Sequence, residues 1–234
     1  MEKRLQNNIV YFFIAVLLIS VLGFYPTYFK KFPAFEGLNI AHHVHGLLAI
    51  LWILMLIAQA FLIRARKYAL HRILGKSSYV LMFLLILSIY WVSRVGYYRN
   101  IQTMSEADTL AQLTNGIPDI FYLATLYVLG MAYKKRVDWH LRFFALSGLL
   151  ILAPGLARYL GIFLALPNPL PIVLNLSTIA GIPLVWLFFD IRNKKSPVPI
   201  LIFLLIFVIA TYVLLSGYAN WWQAMARWIV RNVF

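Results

Sequence analysis

The chain has no cysteine, few acidic residues and little charge of any kind. Lack of cysteine excludes disulfides, a lipoprotein anchor, covalent c-type haem, iron–sulfur clusters and zinc–thiolate sites. Charged residues are 12% of the 234 and hydrophobic ones 63%, which leaves too little polar surface to cover a water-soluble domain. No aspartate or glutamate falls near the middle of an apolar run, since Asp119, Asp138 and Asp190 all stand at run ends. Proton- or sodium-coupled transporters usually carry a carboxylate in mid-span, and retinal proteins a lysine there, so both classes are disfavoured.

What is there is a series of long continuous apolar runs. A crossing needs about 20 apolar residues, and barrel strands alternate rather than run, so these blocks are helices. The expected fold is all-α: one polytopic membrane domain over 1–234 with seven transmembrane helices. The expected spans cover about 9–25, 40–63, 76–95, 117–133, 139–164, 172–189 and 198–217. No small-residue cleavage site follows the first run, which therefore reads as an uncleaved span. Pro118 and Asp119 mark a helix start, and kinks are expected at Pro154-Gly155 and at Gly181-Ile182-Pro183. The longest polar loop is 97–116. The tail, 220–234, has Trp221, Trp222 and Trp228 with Arg227 and Arg231 four apart, the pattern of an amphipathic helix lying in the interface.

In a soluble chain a net charge of +14 would signal nucleic acid. Here the basic residues sit in short runs at span ends, where they set topology and meet anionic lipid, and no nucleic-acid partner is expected. With the N-terminus inside, fourteen Lys and Arg fall on the inner side and six on the outer, Arg158 lying within a span. That asymmetry predicts an N-inside protein of a bacterial cytoplasmic membrane.

All five histidines lie at span ends. His71 and His140 occupy two similar basic turns 69 residues apart: a span ends, cations follow, and a histidine with an arginine one or two positions on opens the next span. A parallel repeat of this kind places the two histidines face to face across a pseudo-twofold axis along the membrane normal. Two facing neutral imidazoles suit axial ligation of haem b or shared metal binding, with Arg72 and Arg142 as partners for the propionates. The same residues also serve as helix-end caps and headgroup contacts. At the outer end of span two, His42 and His45 share a helical face and form a metal-ligand pair if a third ligand arrives, with Glu36 and Asp119 as candidates on the same side. A solvated interface end is the plainer reading for His42 and His43. Arg158, within an apolar run, is expected to face a cavity or ligand because a guanidinium in lipid costs several kcal/mol. With His45, Tyr159 and Asp119 it defines a candidate outer polar site. Gln59 and Asn175 are the other buried polar groups, each explicable by one interhelical hydrogen bond.

His45 with a glycine after it, Gln59, the string running from Leu70 through His71, Arg72 and Gly75 to Tyr79, the string His140-Leu141-Arg142, and Arg158 together resemble a group of bacterial predicted multi-pass membrane proteins of unknown function. More distantly, the arrangement is similar to the bundles of cytochrome b561-type proteins and of cytochrome oxidase assembly factors. The resemblance covers roughly 40–160, its most specific part being the His-Arg-x-x-Gly turn. It implies no established activity, but it marks His45, His71, Arg72, His140, Arg142 and Arg158 as site candidates. The chain departs from the b-cytochrome pattern in offering outer histidines from one helix only, so a second, outer bis-histidine haem is not expected. Two functions remain open. One is a haem-binding electron-transfer protein with an outer site for a quinone or lipid-like substrate. The other is a non-catalytic accessory or assembly subunit that binds membrane lipids and other membrane subunits.

Overall fold

The computed structural model describes residues 2–234, with side chains from residue 8 onward. Among the described residues the secondary structure is helical throughout: α1 (Glu2–Phe24), α2 (Ile40–Arg64), α3 (Tyr68–Asn100), α4 (Glu106–Gln112), α5 (Ile117–Ala132), α6 (Val137–Arg158), α7 (Leu170–Arg192), α8 (Val198–Leu215) and α9 (Asn220–Asn232). In hydrocarbon every backbone polar group must be satisfied within its own segment, and apolar runs of this length meet that demand as helices. Five helices, α2, α3, α6, α7 and α8, are long and apolar enough to cross a membrane. The apolar part of α1 is Asn8–Phe24. With 16 residues, α5 is about 24 Å long, short of a hydrocarbon core about 30 Å thick.

Local signals explain the helix starts. Asn39 caps α2 by accepting from the Ala41 N–H at 3.1 Å, and its own N–H donates to His42 Nδ1 at 3.2 Å. Proline stands in the first turn of α5, α7 and α8, where its missing N–H leaves no bond unmade. The third span differs most from expectation. It begins at Tyr68 rather than near residue 76, because the α2–α3 connection closes in three residues with Arg66 at φ 58°. It also runs on to Asn100.

The bundle is built around α6. Half of its span is buried inside the protein, against 11–28% for the other four long spans. It packs on α1, α5, α7 and α8. The α1–α6 crossing depends on small residues: a Cβ on Gly23 would overlap the Gly155 carbonyl, and one on Gly155 would come within 2.8 Å of Ser20 Cα. Such contacts bring backbones together where lipid gives no hydrophobic drive for association. Pro154 lies inside α6 and Pro183 inside α7, at the expected kink positions, and a π-helical turn, Tyr159–Phe163, follows α6 directly.

The expected polar loop is folded. Its helix α4 and the C-terminal helix α9 pair to form a cap over one end of the bundle. Trp222 is fully buried and donates from Nε1 to the Leu110 carbonyl at 2.9 Å, while Ala226 packs beside it with Leu110, Leu113 and Ile117. Thus α9 turns its Trp222 face to protein, leaving Trp221 and Trp228 exposed. The opposite end carries the basic turns and is called the basic end below.

Candidate functional site: a histidine pair at the basic end

His71 and His140 are equivalent in the backbone. Each is the fourth residue of its helix, and each donates its N–H to the carbonyl of the residue before the helix, Lys67 at 3.0 Å and Arg136 at 2.9 Å. The repeat seen in the sequence is therefore a repeat of local structure, and it brings the two rings together, edge to face, with centroids 6.4 Å apart. Two imidazoles that share one metal ion through nitrogens about 2 Å from it have centroids roughly 6 Å apart, so the spacing suits a shared axial position.

The hydrogen bonds set the ring chemistry. His140 Nδ1 lies 2.7 Å from the Gly130 carbonyl, which can only accept, so Nδ1 carries the proton and neutral His140 presents a bare Nε2. Ligating histidines are oriented in the same way. His140 also packs on Phe144, ring centroids 4.7 Å apart. Among the described residues His71 Nδ1 is buried without a hydrogen-bond partner, the Gln59 backbone facing the ring. Beside it, Gln59 on α2 donates from Nε2 to the His71 carbonyl at 3.2 Å, while Gln59 Oε1 is buried and unpartnered. Two turns along α3, Ser78 shares a 2.9 Å hydrogen bond with the Tyr127 hydroxyl of α5.

The two arginines of the basic turns have different fates. Arg72 is exposed. Arg142, expected beside a propionate, is buried and turned to Asp190 of α7: Nε donates to Oδ2 at 2.6 Å and Nη2 to Oδ1 at 2.5 Å. Its Nη1 donates to the Asp138 carbonyl at 2.8 Å, and its guanidinium lies 5.4 Å from the Trp186 ring. In the sequence Asp190, at a span end, reads as a solvated carboxylate. The signal available was a single carboxylate in the last turn of an apolar span, with an arginine also near the basic end of another.

At the other end the outer candidates point to different partners. His42 bonds its own helix cap, and His43 is hydrogen-bonded to the Tyr28 hydroxyl at 2.6 Å within a cluster that includes Phe35. His45 Nδ1 lies 3.0 Å from Ser88 Oγ. Ser88 uses its one proton on the Leu85 carbonyl at 2.6 Å, so its oxygen accepts from His45 Nδ1–H and the bare nitrogen of neutral His45 is again Nε2. Among the described residues no three histidine, aspartate or glutamate side chains converge, so His42 and His45 are not joined there by a third ligand from Glu36 or Asp119. Arg158 donates to the Pro154 carbonyl at 3.1 Å and covers the Phe24 ring at 4.5 Å. Tyr159 stacks on Phe163. Asp119 sits in the first turn of α5 and makes no ion pair with Arg158 among the described residues.

The cap carries its own charges outside the spans. Arg227 binds Glu106, Nε to Oε1 at 3.0 Å, and this hydrogen bond holds the Glu106 carboxyl below its ordinary range. The Ser105 hydroxyl, and after it the Tyr218 hydroxyl, do the same for Asp108, while Asp108 pushes the Tyr218 phenol up. Compared with family models, with characterised proteins and with solved structures, the chain matches none.

Proposed function

We propose that the protein is a seven-span, N-inside protein of a bacterial cytoplasmic membrane that holds haem b between His71 and His140 and transfers electrons within the membrane. The observation that carries this reading is the histidine pair itself: equivalent helix positions, rings 6.4 Å apart, and a His140 tautomer with Nε2 bare. A two-ligand site without a third protein donor suits axial haem ligation better than tetrahedral zinc. Bound haem would supply a one-electron couple at the basic end. The protein's part is to hold both imidazoles neutral and oriented, with exposed Arg72 as the guanidinium free to meet a propionate. At the far end, Arg158 as donor and His45 Nε2 as acceptor offer the two kinds of hydrogen bond that a quinone and its quinol need.

The test is a visible spectrum of detergent-purified protein, as isolated and after dithionite. A Soret band that sharpens on reduction, lost in both His71→Ala and His140→Ala, is the expected result. A colourless wild type, or both variants with wild-type spectra, overturns it.

A second reading, an accessory subunit without chemistry, has one observation in its favour. Only 11% of the α7 span is buried within the protein, and Leu184, Val185 and Phe188 are exposed, a face that a partner helix covers as well as lipid does. Under that reading the protein is colourless and co-purifies with other membrane subunits.

A further inference from the structure

Two buried polar atoms at the histidine pair lack partners, and they are complementary. Gln59 Oε1 is an acceptor without a donor; His71 Nδ1, when it carries the ring proton, is a donor without an acceptor. Buried polar atoms in folded proteins nearly always find a partner, so two orphans in one place mark an interaction completed in another state of the site. They are also close in the chain's packing. The amide of Gln59 already reaches the His71 carbonyl at 3.2 Å, and a Cβ on Gly75 would sit 3.4 Å from Gln59 Nε2. His71 and Gly75 are four apart on α3 and share the face that meets Gln59.

We propose that Gln59 is the positioning residue for His71, accepting from its Nδ1–H as the Gly130 carbonyl accepts from His140. This rests on the haem reading above. The two orphans satisfy each other only in the tautomer that leaves Nε2 bare, which is the one an axial ligand needs. In that tautomer His71, like His140, presents a bare Nε2. The Gly130 backbone holds the His140 ring and the Gln59 backbone faces the His71 ring, so the side-chain amide of Gln59 is an addition at His71 alone that mutation can reach.

The test uses the full-length protein in detergent with haem content and midpoint potential as readouts. Gln59→Leu, of similar size and without an acceptor, should raise the midpoint potential, because an imidazole that loses its acceptor donates less charge to iron. It should also loosen haem retention by roughly 10–100-fold, the usual cost of losing such a partner. Gln59→Glu, a stronger acceptor, should shift the potential downward. Because polarity and charge alone push the potential in these two directions, the iron–imidazole stretch in the resonance Raman spectrum decides: a shifted stretch in Gln59→Leu supports the proposal, and a wild-type stretch overturns it. Wild-type potentials in both, with His71→Ala colourless, overturn the role of Gln59 and leave the haem reading standing. A colourless wild type removes both together. Should Gln59→Leu fail to fold, Gln59→Met, neutral and without a strong acceptor, takes its place with the same readout and the same two outcomes.

Discussion

At the basic end an arginine and an aspartate are both withdrawn from solvent and bound to each other, Arg142 at 1% exposure and Asp190 at 0%. At the capped end an arginine and a glutamate meet in the open, Arg227 at 36% and Glu106 at 53%. The ionic groups are similar, but the dielectric around them is not. An exposed pair is screened and contributes little, whereas a buried charge stripped of its partner is costly because nothing solvates it. The basic end is therefore fixed by a bond that tolerates no half-measure, and the capped end by many weak contacts around one buried tryptophan.

The largest expected effect breaks the first half of that contrast. Asp190→Ala leaves the Arg142 guanidinium buried without its carboxylate and should destabilise the detergent-solubilised protein by about 3–5 kcal/mol, read from thermal or denaturant unfolding. Replacing both residues by leucine should recover most of the loss. A single variant no worse than the double would mean that the pair is not what joins α6 to α7.

Next comes Trp222→Ala. A buried tryptophan exchanged for alanine costs about 3–5 kcal/mol where the structure cannot close in, but here the loss falls on the α4–α9 cap alone. Limited proteolysis or hydrogen exchange should show α9 released, with the melting of the bundle nearly unchanged. A fall in global stability equal to that of Asp190→Ala would show that cap and bundle unfold as one.

Gly155→Val addresses the α1–α6 crossing. Its side chain meets Ser20 Cα, and overpacking of this kind costs about 1–3 kcal/mol. Crosslinking yield between cysteines introduced on α1 and α6 should drop.

The smallest effect is the pH response of the cap. Glu106 and Asp108 are held below the ordinary carboxylate range, so they contribute stability above the unfolded value, about 4.5 for Glu106, that is lost as pH falls through the lower folded values. Protease release of α9 should therefore rise on acidification below that point and with added salt. Glu106→Gln should flatten the Glu106 part of the profile, and an unchanged profile would remove Arg227 from the clasp.

Much of this arrangement was legible in the residues. Apolar runs pick out the helices because lipid permits few alternatives, and Pro154 and Pro183 mark their sites from chemistry alone. The meeting of His71 with His140 was readable because the two basic turns repeat, and the repeat fixes which residue of each helix faces the other. The Arg142–Asp190 bond was not readable, since both residues sit near span ends, where charge usually snorkels to water, and only the packing of α7 on α6 shows that neither does. Nor was the cap: the spacing of Trp221, Trp222 and Trp228 describes an amphipathic helix, but periodicity does not say whether its apolar face meets lipid or α4.

α3 has 33 residues and no proline, so it is a rod about 50 Å long, against a hydrocarbon core of about 30 Å. His71 rides on its first turn, while two thirds of the way along Tyr90 donates to the Val233 carbonyl at 2.7 Å, and in the last turn Tyr97 packs on Phe234 just beyond α9. A rod of that length works as a lever: one degree of tilt about its first turn carries its last turn sideways by about 0.9 Å. A tilt of α3 at the histidine end would therefore be read, magnified, by a probe attached to α9.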